Sequence, residues 1–210
     1  MMIAGEPYSR QFRCLCGEGV AGFLSRSSTW GICVEREGMG MSQVPAWFER
    51  KFDLSFPAEL YPNIEVRLRG TPARLEEMVR GQSAASLVRK PDGKWSAQEH
   101  AGHLLDLESL WMARVEDFLR GGDELTVADL KNRRTHEANH NARPVEEILG
   151  EFRAARAALV ERVGKMEAAK FSRTMLHPRL KTPMRLVDHL YFVAEHDDHH
   201  LARIWELLRG

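Results

Sequence analysis

Residues 121–143 constrain the fold most. They form a connection of more than 20 residues between two stretches of helical apolar periodicity, GHLLDLESLWMARVEDFLR before it and VEEILGEFRAARAALVERV after it. A tight helical hairpin needs only a few residues. A connection this long, with a short helix from about Thr126, can instead cross the length of a bundle and let the helices it joins run parallel. The first helical segment, about 58–80, carries Gly70-Thr71-Pro72. Proline removes a hydrogen bond and clashes one turn back, so a kink or restart is expected there, with Thr71 as cap and Pro72 at the first position. The second opens on SAQE, 96–99, a capping box in which Ser96 caps and Glu99 reaches back, and it stops at Gly121-Gly122. The third opens near Pro144 and continues to about residue 168; the fourth opens at Thr182-Pro183 and runs to the C-terminus. No segment reads as a strand. The expectation is an all-α four-helix bundle over 41–210, with a long crossover between helices 2 and 3.

Residues 1–40 differ from the rest. They are rich in Gly and Ser, lack periodicity, and hold all three cysteines, Cys14, Cys16 and Cys33. They read as a poorly ordered N-terminal extension. EREGMGM would be encoded by purine-rich codons, as a ribosome-binding site would be, so a true start at Met41 is an alternative. The odd cysteine count argues against a disulfide framework, and Cys-x-Cys is a poor zinc pattern. Thirty basic and thirty acidic residues balance to zero, with no basic stripe for nucleic acid. No apolar run has membrane-spanning length, and no secretory signal pattern opens the chain. The expected setting is cytoplasmic, with no membrane and no nucleic acid as partner.

AEHDDHH, 194–200, concentrates the chemistry. On a helix, successive residues step by about 100°. Leu186, Leu190, Val193, Leu201, Ile204 and Leu208 then share the core stripe of the fourth helix. His196 and His200 are neighbours on its flank, while Asp198 and His199 turn toward solvent. Asp197 falls inside the apolar stripe, where an unpartnered carboxylate is costly; a hydrogen bond to a ligating imidazole is one way to satisfy it. On the second helix His103 shares the stripe of Leu107, Leu110, Trp111 and Phe118, with Glu99 and His100 a turn earlier and Arg114 further down. If helices two and four are antiparallel, His103, His196 and His200 come to similar depth. A metal site and a set of ordinary core and surface histidines are both compatible with this spacing.

KWSAQEHAGHLLDLE, 94–108, followed by AEHDDHHLARI, 194–204, resembles the DinB/YfiT-like metal-binding superfamily over about residues 45–210. The resemblance implies the up-down-down-up bundle, a homodimer, and a divalent metal held by His103, His196 and His200, with His199 outside the ligand set. The family includes thiol-dependent transferases and isomerases, and its name is no evidence of DNA binding.

Three neutral imidazoles would leave a divalent cation with an open position, at which a thiol or water has a lowered pKa. Zinc, nickel, iron and manganese all accept imidazole, so the ligands do not name the metal. Glu99, Asp106 and Asp197 are the candidates for orienting ligands or moving protons. Arg114 is a candidate for the substrate pocket, with an inter-helix salt bridge as its alternative. Trp95 and Trp111 are expected in the core, the crossover segment 132–141 at the pocket mouth or as plain surface, and His177 at the opposite end of the bundle. The leading function is a metal-dependent enzyme using a low-molecular-weight thiol, S-transferase-like, on a small-molecule substrate. The alternatives are a non-catalytic, stress-associated metal-binding dimer and a small metal-dependent hydrolase.

Overall fold

The structure, a computed structural model, describes residues 44–209. The expectations for the extension over 1–40 and for the start at Met41 lie outside those residues. In chain order the helices are α1 (Tyr61–Val79), α2 (Ala84–Leu87), α3 (Ala97–Arg120), α4 (Arg133–Glu137), α5 (Val145–Gly164) and α6 (Leu186–Arg209). The four long ones form the bundle. Both α1 and α3 pack against α5 and α6, so α1 and α3 stand at opposite corners.

Side-chain pairs give the directions. His103, early in α3, meets His200, late in α6, while Phe118 meets His189, so α3 and α6 are antiparallel. Arg156 and Arg162 of α5 reach Glu108 and Glu116 of α3 in the same order, so those two helices are parallel. Arg153 pairs with Glu76, whereas Arg156 bonds the earlier Leu68 carbonyl, so α1 opposes α5. This is the up-down-down-up bundle with its crossover between α3 and α5. The short helix in that crossover is Arg133–Glu137 rather than one from Thr126; the Thr126 amide and hydroxyl instead both donate to Asp117 Oδ2 at 2.7 Å.

Two expectations about helix ends fail for physical reasons. α1 does not restart at Thr71, and Pro72 lies inside one continuous helix. The Leu68 carbonyl, which a residue with an N–H at 72 would have bonded, accepts from Arg156 Nη1 at 3.3 Å instead. The cost of the proline is thus partly offset from another helix. Nor does α6 begin at Thr182. Residues Thr174–His177 (β1) and Thr182–Arg185 (β2) pair antiparallel, with Pro183 opposite Leu176. Met175 and Met184 are buried, so this ladder closes one end of the core. Four residues per strand are too few to announce alternation, and Thr-Pro carries the same signature as a helix start. α5 ends at Gly164, a turn earlier than expected, with a 3-10 turn over Ala168–Ser172 following.

The core is divided. One cluster gathers Ile64, Leu68, Trp111, Leu159 and Val193; the other gathers Leu75, Leu104, Phe152 and Leu201. Between them each long helix contributes one buried polar residue: Thr71, Glu108, Arg156 and Asp197. Arg156 Nη2 donates to Glu108 Oε1 at 2.6 Å and to Asp197 Oδ1 at 3.0 Å, and the Thr71 hydroxyl donates to Asp197 Oδ2 at 2.8 Å.

Candidate metal centre

The capping box at the start of α3 forms as expected. The Glu99 amide donates to Ser96 Oγ at 3.1 Å and the Ser96 amide to Glu99 Oε2 at 2.8 Å. This fixes the first turn, from which His100 and His103 project. On its C-terminal half, α6 presents His196 and His200 one turn apart. His103, His196 and His200 each offer one ring nitrogen, and these nitrogens all lie within 4.8 Å of one another. His196 Nε2 and His200 Nε2 are 3.1 Å apart.

The partners of the other ring nitrogens suit lone pairs turned toward a shared point. His103 Nδ1 is 3.0 Å from Thr135 Oγ1, which leaves Nε2 free when Nδ1 carries the proton. His200 Nδ1 is 2.8 Å from His100 Nδ1, so one imidazole donates to the other; donation by His200 leaves its Nε2 bare. His196 Nδ1 is buried without a hydrogen-bond partner among the described residues. Burial, reinforced by neighbouring imidazoles, holds all of them neutral. His100 is pushed down to about 3 and His103 to about 4, while His196 and His200 fall well below the ordinary histidine value. Neutral, convergent, buried imidazoles are what a divalent cation requires of its ligands. The residues fit the group.

The carboxylates proposed as orienting partners are engaged elsewhere. Glu99 is held by the cap and by Lys90 at 2.7 Å. Asp197 bonds Arg156 and Thr71 rather than an imidazole. Asp106 Oδ2 accepts from His140 Nε2 at 2.8 Å, and its carboxyl, though buried, is kept below the usual range by His140, Thr135 and Arg134. The roles expected of carboxylates fall to Thr135 and His100. Thr135 comes from α4 in the crossover, so the segment 132–141 does shape the site. Beneath it, Gly102 lets the His140 ring lie directly on α3; a Cβ there would sit 2.2 Å from His140 Cγ.

Beside the imidazoles is a cavity of about 360 Å³ whose lining includes all three histidines, His100, Trp47, Trp95, Leu110, Trp111, Arg114, Val127, Leu130, His177 and Arg179. Three expectations change here. Trp95 is not in the core but forms a wall, with ring centroids 4.8 Å from His103 and 5.4 Å from His100. His199 does not turn to solvent; it is half-buried, lines the cavity and packs 5.6 Å from Trp47. His177 is not at the far end, because β1 and β2 fold back along the bundle and place it in the cavity lining, 5.1 Å from Phe192. Arg114 lines the cavity and makes no salt bridge among the described residues. Trp111 is buried as expected and also borders the cavity, 5.5 Å from His196.

A family model described as the DinB superfamily matches residues 67–204. A curated relative, "Putative metal-dependent hydrolase YfiT" of Bacillus subtilis (strain 168), is 25% identical over 150 residues, spanning 68% of this chain and 80% of that protein. The solved structure of YfiT from Bacillus subtilis, described as having an unusual four-helix bundle topology, aligns with a TM-score of 0.68 at 22% identity. It covers 77% of this chain and 93% of that one, a likeness of fold. No helix among the described residues is long and apolar enough to cross a membrane.

Proposed function

This chain belongs to the DinB superfamily, and on that premise we propose that it is a metal-dependent enzyme that activates a nucleophile beside an apolar small-molecule pocket. The observation that carries the reading is the convergence of His103, His196 and His200 at one wall of a cavity large enough for a small ligand. A divalent cation held there would supply Lewis acidity, lowering the pKa of a thiol or water at its open position. The chain's own residues do the rest. Thr135 and His100 orient imidazoles, Trp47 and Trp95 wall off water, and Leu110, Trp111 and Val127 offer apolar contact to a substrate.

A low-molecular-weight thiol is the nucleophile favoured here. Asp129 is the carboxylate in the described cavity lining, and it accepts from Arg133 and from backbone amides, so no free carboxylate among the described lining residues awaits a water as its base. The second reading, a metal-dependent hydrolase, rests on the likeness to the Bacillus subtilis protein. A purely structural metal is the poorest match, because such a centre needs no cavity at its side. A homodimer is the proposed assembly, to be measured by sedimentation.

Elemental analysis of purified protein beside His200→Ala tests the centre. One equivalent of metal in the native chain and a large loss in the variant are expected; equal content in both would remove the triad. Thiol consumption with an electrophile, against ester hydrolysis without thiol, then separates transfer from hydrolysis.

A further inference from the structure

The cavity does not end at the imidazoles. Arg114 lies eleven residues beyond His103 on α3, about 16 Å along the helix. Arg114 is 1% exposed, yet no carboxylate pairs with its guanidinium among the described residues. Its Nε donates to the Thr126 carbonyl at 2.9 Å. Its Nη1 lies 3.2 Å from His177 Nε2, which is the informative contact. His177 Nδ1 already accepts from the backbone amides of Arg179 and Leu180, at 3.3 and 3.2 Å. A neutral imidazole that accepts at Nδ1 carries its proton on Nε2. Two donors therefore face each other, and neither supplies the lone pair the other lacks. Arg179, from the same hairpin turn, adds a second guanidinium whose buried Nη2 has no hydrogen-bond partner among the described residues. All three side chains line the cavity.

A buried guanidinium without a counter-charge is costly unless something supplies that charge. An oxyanion seated at this end would accept from Arg114, His177 and Arg179 together. The wall between the two ends is aromatic: Trp111 stands 5.5 Å from the His196 ring and 5.6 Å from the Arg114 guanidinium carbon. Phe48, Val127 and Leu130, exposed large apolar residues, line the same cavity.

We propose that Arg114, His177 and Arg179 form an oxyanion subsite that seats the carboxylate of an apolar substrate, whose body lies along Trp111 toward the histidines. This names the substrate class of the proposed enzyme and rests on that reading for the reacting end alone. The planar guanidinium and the apolar walls favour a carboxylate on a hydrocarbon or aromatic body.

Calorimetric titration with 4-phenylbutyrate and its neutral amide, on the protein as purified, tests it. The native chain is expected to bind the acid roughly tenfold or more tightly than the amide. Arg179→Gln, at a half-buried position, and Arg114→Lys should each shrink that preference several-fold, while His200→Ala, which removes a proposed ligand at the other end, should retain it. Equal binding of acid and amide, or binding of neither, overturns the subsite. So does a preference that vanishes in His200→Ala but survives both arginine variants, since the carboxylate would then sit on the metal. A chain that binds no metal yet prefers the acid keeps the subsite and loses the proposed enzyme.

Discussion

Arg156 and Asp197 meet in the middle of the bundle, shut off from solvent on α5 and α6, and Asp197 directly follows His196 in the chain. A charged layer thus adjoins the candidate metal centre. Both carboxylates of that layer, Asp197 and Glu108, share one guanidinium, and the Leu68 carbonyl and Thr71 hydroxyl complete the network.

Replacing Arg156 by Met would leave two buried carboxylates without their cation. The expected loss is about 3–5 kcal/mol of unfolding free energy, the usual consequence of removing one partner from a buried pair. Urea denaturation measures it. A loss below about 1 kcal/mol would show that the layer is dispensable.

Glu108 carries the excess charge of the layer. Burial, with Asp197 nearby, pushes its carboxyl up to about 7 although Arg156 pulls the other way. A carboxyl raised in the folded state binds more protons folded than unfolded between its ordinary value of 4.5 and about 7. Its contribution therefore favours folding at the acid end of that window and fades as pH rises through it. Glu108→Gln should flatten the fall in denaturation midpoint between pH 5 and pH 7.5. An unchanged slope would assign the dependence to other groups.

Thr135 reaches His103 from the crossover, at 3.0 Å. Thr135→Val keeps the shape and removes the hydrogen bond, so metal affinity should drop roughly tenfold to a hundredfold. Competition with a chromogenic chelator reads this directly. Thr135→Ser should restore most of the affinity, which a packing role for the methyl group would not allow.

Gly102 leaves room for His140 against α3. Gly102→Ala raises helix propensity, yet the new Cβ collides with the imidazole ring. A net loss of about 1–3 kcal/mol is expected, with the melting temperature lowered accordingly. A rise in melting temperature would mean that His140 can move aside freely.

Much of this arrangement is legible in the sequence. The length of residues 121–143 allowed the parallel pairing of α3 and α5, and helical phase turned His103, His196 and His200 inward. The same phase marked Asp197 as misplaced, but not its partner. Arg156 lies four residues after Phe152 and three before Leu159, in the apolar stripe of α5, so the test applied to Asp197 would have found it. Thr135 and His177 were out of reach. Each depends on how an irregular segment folds back onto the bundle, and short strands and left-handed turns at Asn132, Asn139 and Lys181 leave no periodic trace.

Helices with wholly apolar faces can slide by a turn at modest cost, because one aliphatic side chain replaces another. Here a one-turn slip of α6 would bring Val193 or Leu201 opposite Arg156 and carry Asp197 into hydrocarbon. The charged layer acts as an index mark for axial position. His196, one residue from that mark, takes its place relative to His103 from a lock that lies outside the metal centre.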